Sequence, residues 1–221
     1  MLIDAIGDLL PSALAVALSP IPIVAVILVL GSRRARTAGP AFALGWVAGL
    51  AAVSAVVVLV LGGGGRDEAT GVSWLEVALG ALFLVMAAGQ WRKRPGKGEE
   101  PEPPRWMAGI ESVPPSKAAI LGVALSAANP KNLALTLAAS ASIAQAGLDG
   151  ADEAIAIAVF VAVGSITVAG AVLFYLLDSA RAERPLAAMK QFMSDNNAVI
   201  MMIVLLVIGA KLIGDGLAGV S

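Results

Sequence analysis

Six long apolar stretches, separated by short polar breaks, dominate the chain. They run over residues 9–30, 40–61, 72–90, 118–140, 154–177 and 198–217. A helix needs about 20 predominantly apolar residues to cross the hydrocarbon core of a bilayer, so each stretch has roughly the length of one transmembrane helix. The pattern predicts an all-α integral membrane protein with six spans.

Composition supports this interpretation and excludes several function classes. Of 221 residues, 58% are apolar, 24 are glycine and 14% are charged, whereas soluble chains are about 45–50% apolar with glycine included. The chain contains no cysteine and no histidine, which excludes disulfides, thiol nucleophiles and histidine-ligated metals. It also lacks a phosphate-binding GxxxxGK[ST] segment and clustered carboxylates within a span. We therefore expect no enzymatic activity, no cofactor and no metal.

The charges separate by connection and predict the orientation. The connections at 31–39, 91–117 and 178–197 hold twelve of the fifteen lysines and arginines, and the opposite connections are acidic apart from Arg66. The positive-inside rule then places both termini outside the cytoplasm. No basic surface is concentrated enough to predict nucleic-acid binding.

Three spans, a linker and three further spans form the layout of an inverted-topology repeat. We expect a first three-helix repeat over 1–94, a cytoplasmic linker with a short interfacial segment over 95–117, and a second repeat over 118–221. The tetrapeptide Val16–Ser19 recurs as Val123–Ser126, and a helix-breaking segment follows each copy within a few residues.

These helix-breaking segments predict the candidate site. A proline inside a helix removes one hydrogen bond and displaces the carbonyl four residues earlier, so we expect the carbonyls of Val16, Leu18 and Ser126 to be released near the membrane centre. Irregular backbone at that depth is tolerated only where protein or a water-filled cavity covers it. With an asparagine as cap and a proline at the first helical position, a half-helix could begin in the second segment. The candidate substrate-binding residues are Ser19, Pro20, Pro22, Asn129, Pro130, Lys131 and Asn132.

Two lysines lie inside predicted spans, Lys131 and Lys211. A lysine at such a depth is costly unless it faces a cavity or finds a partner, so Lys131 predicts an anion site or else a structural ion pair or snorkelling. Lys211 has Asp215 at i+4, and Glu76 is a further candidate counter-charge. These three residues predict a coupling or counter-charge cluster, or a lysine–aspartate pair that neutralises itself near the outer interface.

Small residues and tryptophans suggest packing and anchoring roles. Gly45 and Gly49 form a GxxxG motif, which can serve helix packing within one chain or a homodimer. Trp46, Trp74 and Trp91 are expected to be interfacial anchors.

Two stretches resemble a known family. Pro104-Arg105-Trp106, with PPSKAAILGVALSAANPKNLALTLAASASIAQAGL from Pro114 to Leu148, closely resembles the second half of the GAP family, the glycopeptidolipid or sulfolipid addressing proteins of actinobacteria. The stretch ALSPIPIVAVILVLGSRRARTAGPAFALGWVAGL, from Ala17 to Leu50, resembles that family's first two spans. The resemblance implies membership of the lysine-exporter superfamily of six-span transporters, with the proline motifs at the centre of a three-plus-three fold.

The resemblance and the residues together lead to two functional hypotheses. The first is a secondary transporter in the bacterial plasma membrane that exports an amphipathic or anionic solute, such as a cell-envelope lipid or glycolipid, by alternating access. The second is a non-transporting scaffold or accessory protein for a larger lipid exporter. Membrane lipids are expected partners under both hypotheses.

Overall fold

A computed structural model describes residues 1–61, 66–92 and 113–220, and this part of the chain is helical without strands. Its helices are α1 (Leu2–Ala17), α2 (Pro20–Leu30), α3 (Ala35–Leu61), α4 (Arg66–Arg92), α5 (Pro115–Val123), α6 (Pro130–Gln145), α7 (Gly150–Gly164), α8 (Ile166–Leu177), α9 (Ser179–Asp195) and α10 (Asn197–Val220). A π-helical turn, Ala124–Ala128, extends α5. Most of the expected linker, with Pro104, Arg105 and Trp106, lies outside the described residues.

The described part contains helices that can cross a membrane. Helix α3 and the stretch Asn197–Ala218 of α10 are each long and apolar enough to do so. Helices α1 and α2, bent by 51°, and helices α7 and α8, bent by 60°, each qualify as a pair, which gives two to four candidate spans. Helix α4 and the α5–α6 segment occupy the positions of the third and fourth expected spans. The chain is thus an all-helical membrane protein, and the number of six spans stays a prediction.

The helices pack in a few extensive contacts. Helix α4 lies along α10, α3 packs on α5 and α6, α1 packs on α6 and α7, and α2 packs on α8 and α9. The large side chains of the core are fully buried where these helices meet: Leu9, Ile23, Phe42, Trp46, Leu50, Phe83, Leu135, Phe160 and Leu205. Many other large apolar side chains are exposed, among them Leu59, Val85 and Leu177, as expected of helix faces that contact lipid.

The tryptophans do not all behave as expected. Trp74 and Trp91 are about half exposed, which suits interfacial anchors. Trp46 is 0% exposed and belongs to the core, so its assignment as an anchor is wrong. It lies on the α3 face that packs against α5, where the Trp46 backbone approaches Gly122.

Two elements differ from the sequence expectation. The span expected at 154–177 is divided at Ser165 into α7 and α8, although it contains no proline. The connection expected at 178–197 is mostly the helix α9, whose Asp178 cap accepts a hydrogen bond from the Arg181 N–H at 3.0 Å. Ala182 and Leu186 bury one face of α9 against its neighbours, and the rest of this amphipathic helix is largely exposed.

Close packing of α3 on α5 depends on glycine. A methyl group at Gly45 would overlap the carbonyl of Ala119, one at Gly49 would overlap the Ser126 hydroxyl, and one at Gly122 would overlap the Phe42 carbonyl. The GxxxG motif therefore serves packing within the chain, and the homodimer expected as the other possibility stays a prediction. Gly80, Gly209 and Gly216 allow a similarly close approach of α4 and α10.

This packing makes Gly45→Ala destabilising. We expect a loss of about 1–3 kcal/mol, because the new methyl group forces two helix backbones apart. Thermal unfolding of the purified protein in detergent measures the effect. Gly89→Ala is the matched control, since its methyl group would meet open space within helix α4. Equal melting temperatures for the two variants would contradict the packing assigned to Gly45.

Candidate functional site

The first helix break lies between α1 and α2. Ser19 caps α2, and Pro20 and Pro22 lie in its first turn, where a backbone N–H would have no partner within the helix. Side chains reach two carbonyls at the end of α1. The Ala15 carbonyl accepts a hydrogen bond from Lys131 Nζ at 2.8 Å, and the Ala17 carbonyl accepts one from Thr167 Oγ1 at 2.6 Å.

The expected release of the Val16 carbonyl is therefore wrong. This carbonyl accepts a hydrogen bond from the Ser19 N–H at 3.1 Å, which closes the last turn. The prediction assumed a helix continuing through Pro20. The chain instead ends α1 and begins a new helix, and the carbonyls that side chains reach are those of Ala15 and Ala17. The release of the Leu18 carbonyl stays a prediction.

The second break lies between the π-helical turn and α6. Asn129 caps α6 by accepting a hydrogen bond from the Lys131 N–H at 3.1 Å, and Pro130 occupies the first helical position. The predicted half-helix start is thus confirmed. The carbonyl that a side chain reaches here is that of Leu125, which accepts from Asn132 Nδ2 at 2.9 Å, and not the expected one of Ser126. The π-helical turn changes the hydrogen-bond register by one residue, which accounts for the difference.

The two breaks meet in a central polar cluster, which consists of the Ala15 carbonyl, Ser19, Lys131 and Asn132. Besides the Ala15 carbonyl, Lys131 Nζ donates to Ser19 Oγ at 2.7 Å. Ser19 Oγ in turn donates to Asn132 Oδ1 at 2.8 Å. The structure therefore brings residues more than one hundred positions apart into one hydrogen-bonded chain.

The charge of this cluster is not balanced by a carboxylate. Lys131 is 2% exposed, and none of the ion pairs in the described residues includes it. Its protein acceptors in this part of the chain are one carbonyl and one hydroxyl, so the third N–H of an ammonium group has no protein acceptor there. Within the described residues Lys131 therefore has neither a carboxylate partner nor the exposure that snorkelling requires.

The ends of two helices add partial charges to the central polar cluster. Lys131 lies in the first turn of α6, where the helix dipole is positive, and its side chain reaches the carbonyl end of α1, where the dipole is negative. A partial charge at a helix end only partly offsets a full charge in a buried site. The cluster has the composition of a site that an anionic group would complete.

A third break adjoins the first. Helix α7 ends and α8 begins at Ser165, whose buried hydroxyl has no hydrogen-bond partner among the described residues. Thr167, in the first turn of α8, donates a hydrogen bond to the Ala17 carbonyl. Sequence reasoning missed both residues. The only signal was the run Gly164-Ser165-Ile166-Thr167, in which small and hydroxyl residues interrupt an apolar stretch.

The three remaining candidate residues form a separate group between α4 and α10. Lys211 and Asp215 form an ion pair on α10, as their i+4 spacing predicts. Glu76 is buried on α4 and lies within electrostatic range of both. No hydrogen bond or ion pair within the described ranges connects this group to the central polar cluster. The sequence prediction thus named two distinct polar groups.

Broken apolar helices with a buried polar junction define a class of protein, an α-helical membrane protein with a polar site inside its bundle. Residues 9–218 match the family model described as Sap, sulfolipid-1-addressing protein. The chain therefore belongs to the sulfolipid-1-addressing protein family, in agreement with its resemblance to the GAP family. Membership indicates a role in lipid addressing or export. Comparison with curated proteins and with solved structures gives no match.

The geometry predicts a structural role for Thr167. Thr167→Val keeps the side-chain shape but leaves the Ala17 carbonyl without its donor, which should destabilise the protein by about 1 kcal/mol. Thr37→Val is the control, because the exposed Thr37 hydroxyl bonds only the Arg34 carbonyl of its own turn. Thermal unfolding in detergent compares the two variants. If Thr167→Val melts no lower than Thr37→Val, the third break is not joined to the first as described.

Proposed function

We propose that this protein is a secondary transporter that exports an amphipathic or anionic solute, a sulfolipid or related cell-envelope lipid, across the bacterial plasma membrane. One observation carries the proposal. A buried lysine without a carboxylate partner lies where two broken helices from opposite halves of the chain meet. We propose no enzymatic reaction, because Ser19 Oγ accepts a hydrogen bond from Lys131 Nζ and donates its own to Asn132 Oδ1, so the lysine is not placed to take the serine proton.

Six spans arranged as two inverted repeats are part of this proposal. The helix contacts support it, since α1 packs on the α7–α8 pair of the second half, and α3 of the first half packs on α5 and α6. The last helices of the two halves, α4 and α10, pack on each other. Exchanging the halves leaves this set of contacts unchanged, as a two-fold pseudosymmetry requires. In an inverted repeat with an even number of spans, both termini lie on one side, and the basic connections favour the outside.

The equivalent positions of the repeat are the caps and not the recurring tetrapeptide. Ser19 caps α2 with Pro20 at its first position, and Asn129 caps α6 with Pro130 at its first position. In the second half, Ser126 ends its tetrapeptide three residues before the cap. The intervening residues belong to the π-helical turn.

Binding would exchange one set of acceptors for another. We propose that an anionic headgroup accepts hydrogen bonds from Lys131 Nζ in place of the Ala15 carbonyl or the Ser19 hydroxyl. Such an exchange would loosen the contact between α1 and α6, which supplies a physical link between binding and a change of access. A ligand shifts a conformational equilibrium only by its differential affinity for the two states, and the exchange of acceptors provides such a difference.

Lys131→Met tests the proposed role directly. The change keeps an unbranched apolar stem and removes the charge, so transport of an anionic lipid should fall by about 10- to 100-fold, the usual value of hydrogen bonds to a charged group. Purified protein in proteoliposomes, loaded with a sulfated glycolipid or phosphatidylglycerol, provides the measurement. Lys117→Met is the matched control, because Lys117 is an exposed lysine near the start of α5.

The outcomes separate the two functional hypotheses. Undiminished transport by Lys131→Met would refute the proposed binding role. Wild-type protein that folds and inserts but moves none of the lipids would refute the transporter and favour a scaffold for a larger lipid exporter. Such a scaffold should copurify with its partner, while a transporter should act alone.

A second proposal assigns proton coupling to the group of Glu76, Lys211 and Asp215. Carboxylates beside a lysine can exchange protons when the pairing changes. Asp215→Asn should then abolish the dependence of export on an imposed pH gradient while downhill movement of lipid continues. The measurement is proteoliposome transport with and without the gradient. If Asp215→Asn retains the gradient dependence and only melts at a lower temperature, the pair is structural.

A further inference from the structure

A cavity of about 590 Å³ lies between the end of α2 and the helices α8 and α9, apart from the central polar cluster. Its apolar wall includes Leu28 of α2 and Leu186 of α9. Its polar wall includes Ser32, Tyr175, Glu183 and Lys190. A site of this volume holds a molecule of drug size, which corresponds to a headgroup with part of one chain and not to a complete lipid with several chains.

The polar wall has unused hydrogen-bonding capacity. Ser32 is 8% exposed, and its hydroxyl has no hydrogen-bond partner among the described residues. This oxygen is itself enclosed by protein, so the polar groups open to a ligand are those of the other polar lining residues, Tyr175, Glu183 and Lys190. Glu183 and Lys190 line the cavity from one face of α9, two turns apart, and neither is part of an ion pair within the described ranges.

We propose that this cavity binds an amphiphile with an anionic, hydroxyl-bearing headgroup and one alkyl chain. The apolar wall would take the chain, Lys190 would bind the negative charge, and Tyr175 and Glu183 would bind hydroxyl groups. Binding at the cavity is independent of the proposed transport function. We also propose that the cavity takes up the lipid before it reaches the central polar cluster, and this role as a loading site rests on the transport function.

The position of the cavity fits loading. Both of its polar borders, the α2–α3 connection and α9, carry basic residues that place them on the predicted cytoplasmic side: Arg33, Arg34, Arg36, Arg181, Arg184 and Lys190. Helix α2 runs from Ser19 of the central polar cluster to Leu30 at the cavity. At 1.5 Å per residue, its eleven residues span about 16 Å, so one helix joins the two sites.

The cysteine-free chain allows a direct test of binding. Ala187→Cys places a reporter thiol in the cavity lining, and Ala188→Cys places one on the adjacent exposed position of α9 outside that lining. Each protein, labelled with bimane and reconstituted in phosphatidylcholine nanodiscs, is titrated with decyl sulfate and with decyl glucoside. We expect saturable fluorescence changes for both probes with the Ala187→Cys reporter alone. Adding Lys190→Gln should lower the affinity for decyl sulfate about tenfold and leave the affinity for decyl glucoside unchanged.

Equal responses of the two reporters would overturn the proposal, because they indicate partition into the bilayer. An unchanged affinity for decyl sulfate after Lys190→Gln would also overturn it. Lys131→Met distinguishes the two sites, because it should reduce transport and leave the response of the Ala187→Cys reporter unchanged. If the reporter responds in protein that retains Lys131 but transports no lipid, the cavity is retained and the transporter is refuted. If that protein transports lipid and the reporter does not respond, the cavity proposal is refuted and the transporter is retained.

Discussion

The bonds from Lys131 to the Ala15 carbonyl and the Ser19 hydroxyl hold this structure together at its centre. They join the carbonyl end of α1 to the first turn of α6 inside the bundle, where Ser19 and Lys131 are both buried. A helix that ends inside a bundle leaves up to four carbonyls without partners. Lys131, Asn132 and Thr167 each donate a hydrogen bond to one such carbonyl. The helix breaks are tolerated because these side chains supply the missing donors.

The junction contrasts with the rest of the packing. Helices α3 and α5, and helices α4 and α10, approach through glycines with backbone against backbone. Such contacts are close-packed, and a methyl group added at these glycines would overlap the neighbouring helix. The central polar cluster is held instead by directional hydrogen bonds between side chains and backbone of different segments.

Parts of this site could be predicted from local chemistry. Asn129 as a cap with Pro130 at the first helical position favours a helix start, and this cap was predicted from sequence. The Ser19–Pro20 segment was predicted only as a break in a continuing helix, because its N-cap position makes no side-chain capping bond. The break at Ser165 lacks a proline and depends on Thr167 reaching another segment, which no local pattern encodes. Which carbonyls accept side-chain hydrogen bonds depends on tertiary contacts and on a π-helical turn. For that reason the sequence did not indicate the carbonyls of Ala15 and Leu125. Trp46 was misassigned because burial in a bundle follows from packing and not from residue type.

The two intramembrane lysines show what decides between a structural and a functional charge. Lys211 has an aspartate one turn away on its own helix, and the pair compensates itself without help from the rest of the fold. Lys131 has Ala134 and Leu135 at the corresponding positions, so compensation must come from outside α6. Among the described residues, the acceptors of Lys131 Nζ are one carbonyl and one hydroxyl. Lys131 thus depends on other segments of the bundle for its hydrogen bonds, whereas Lys211 is compensated within one helix.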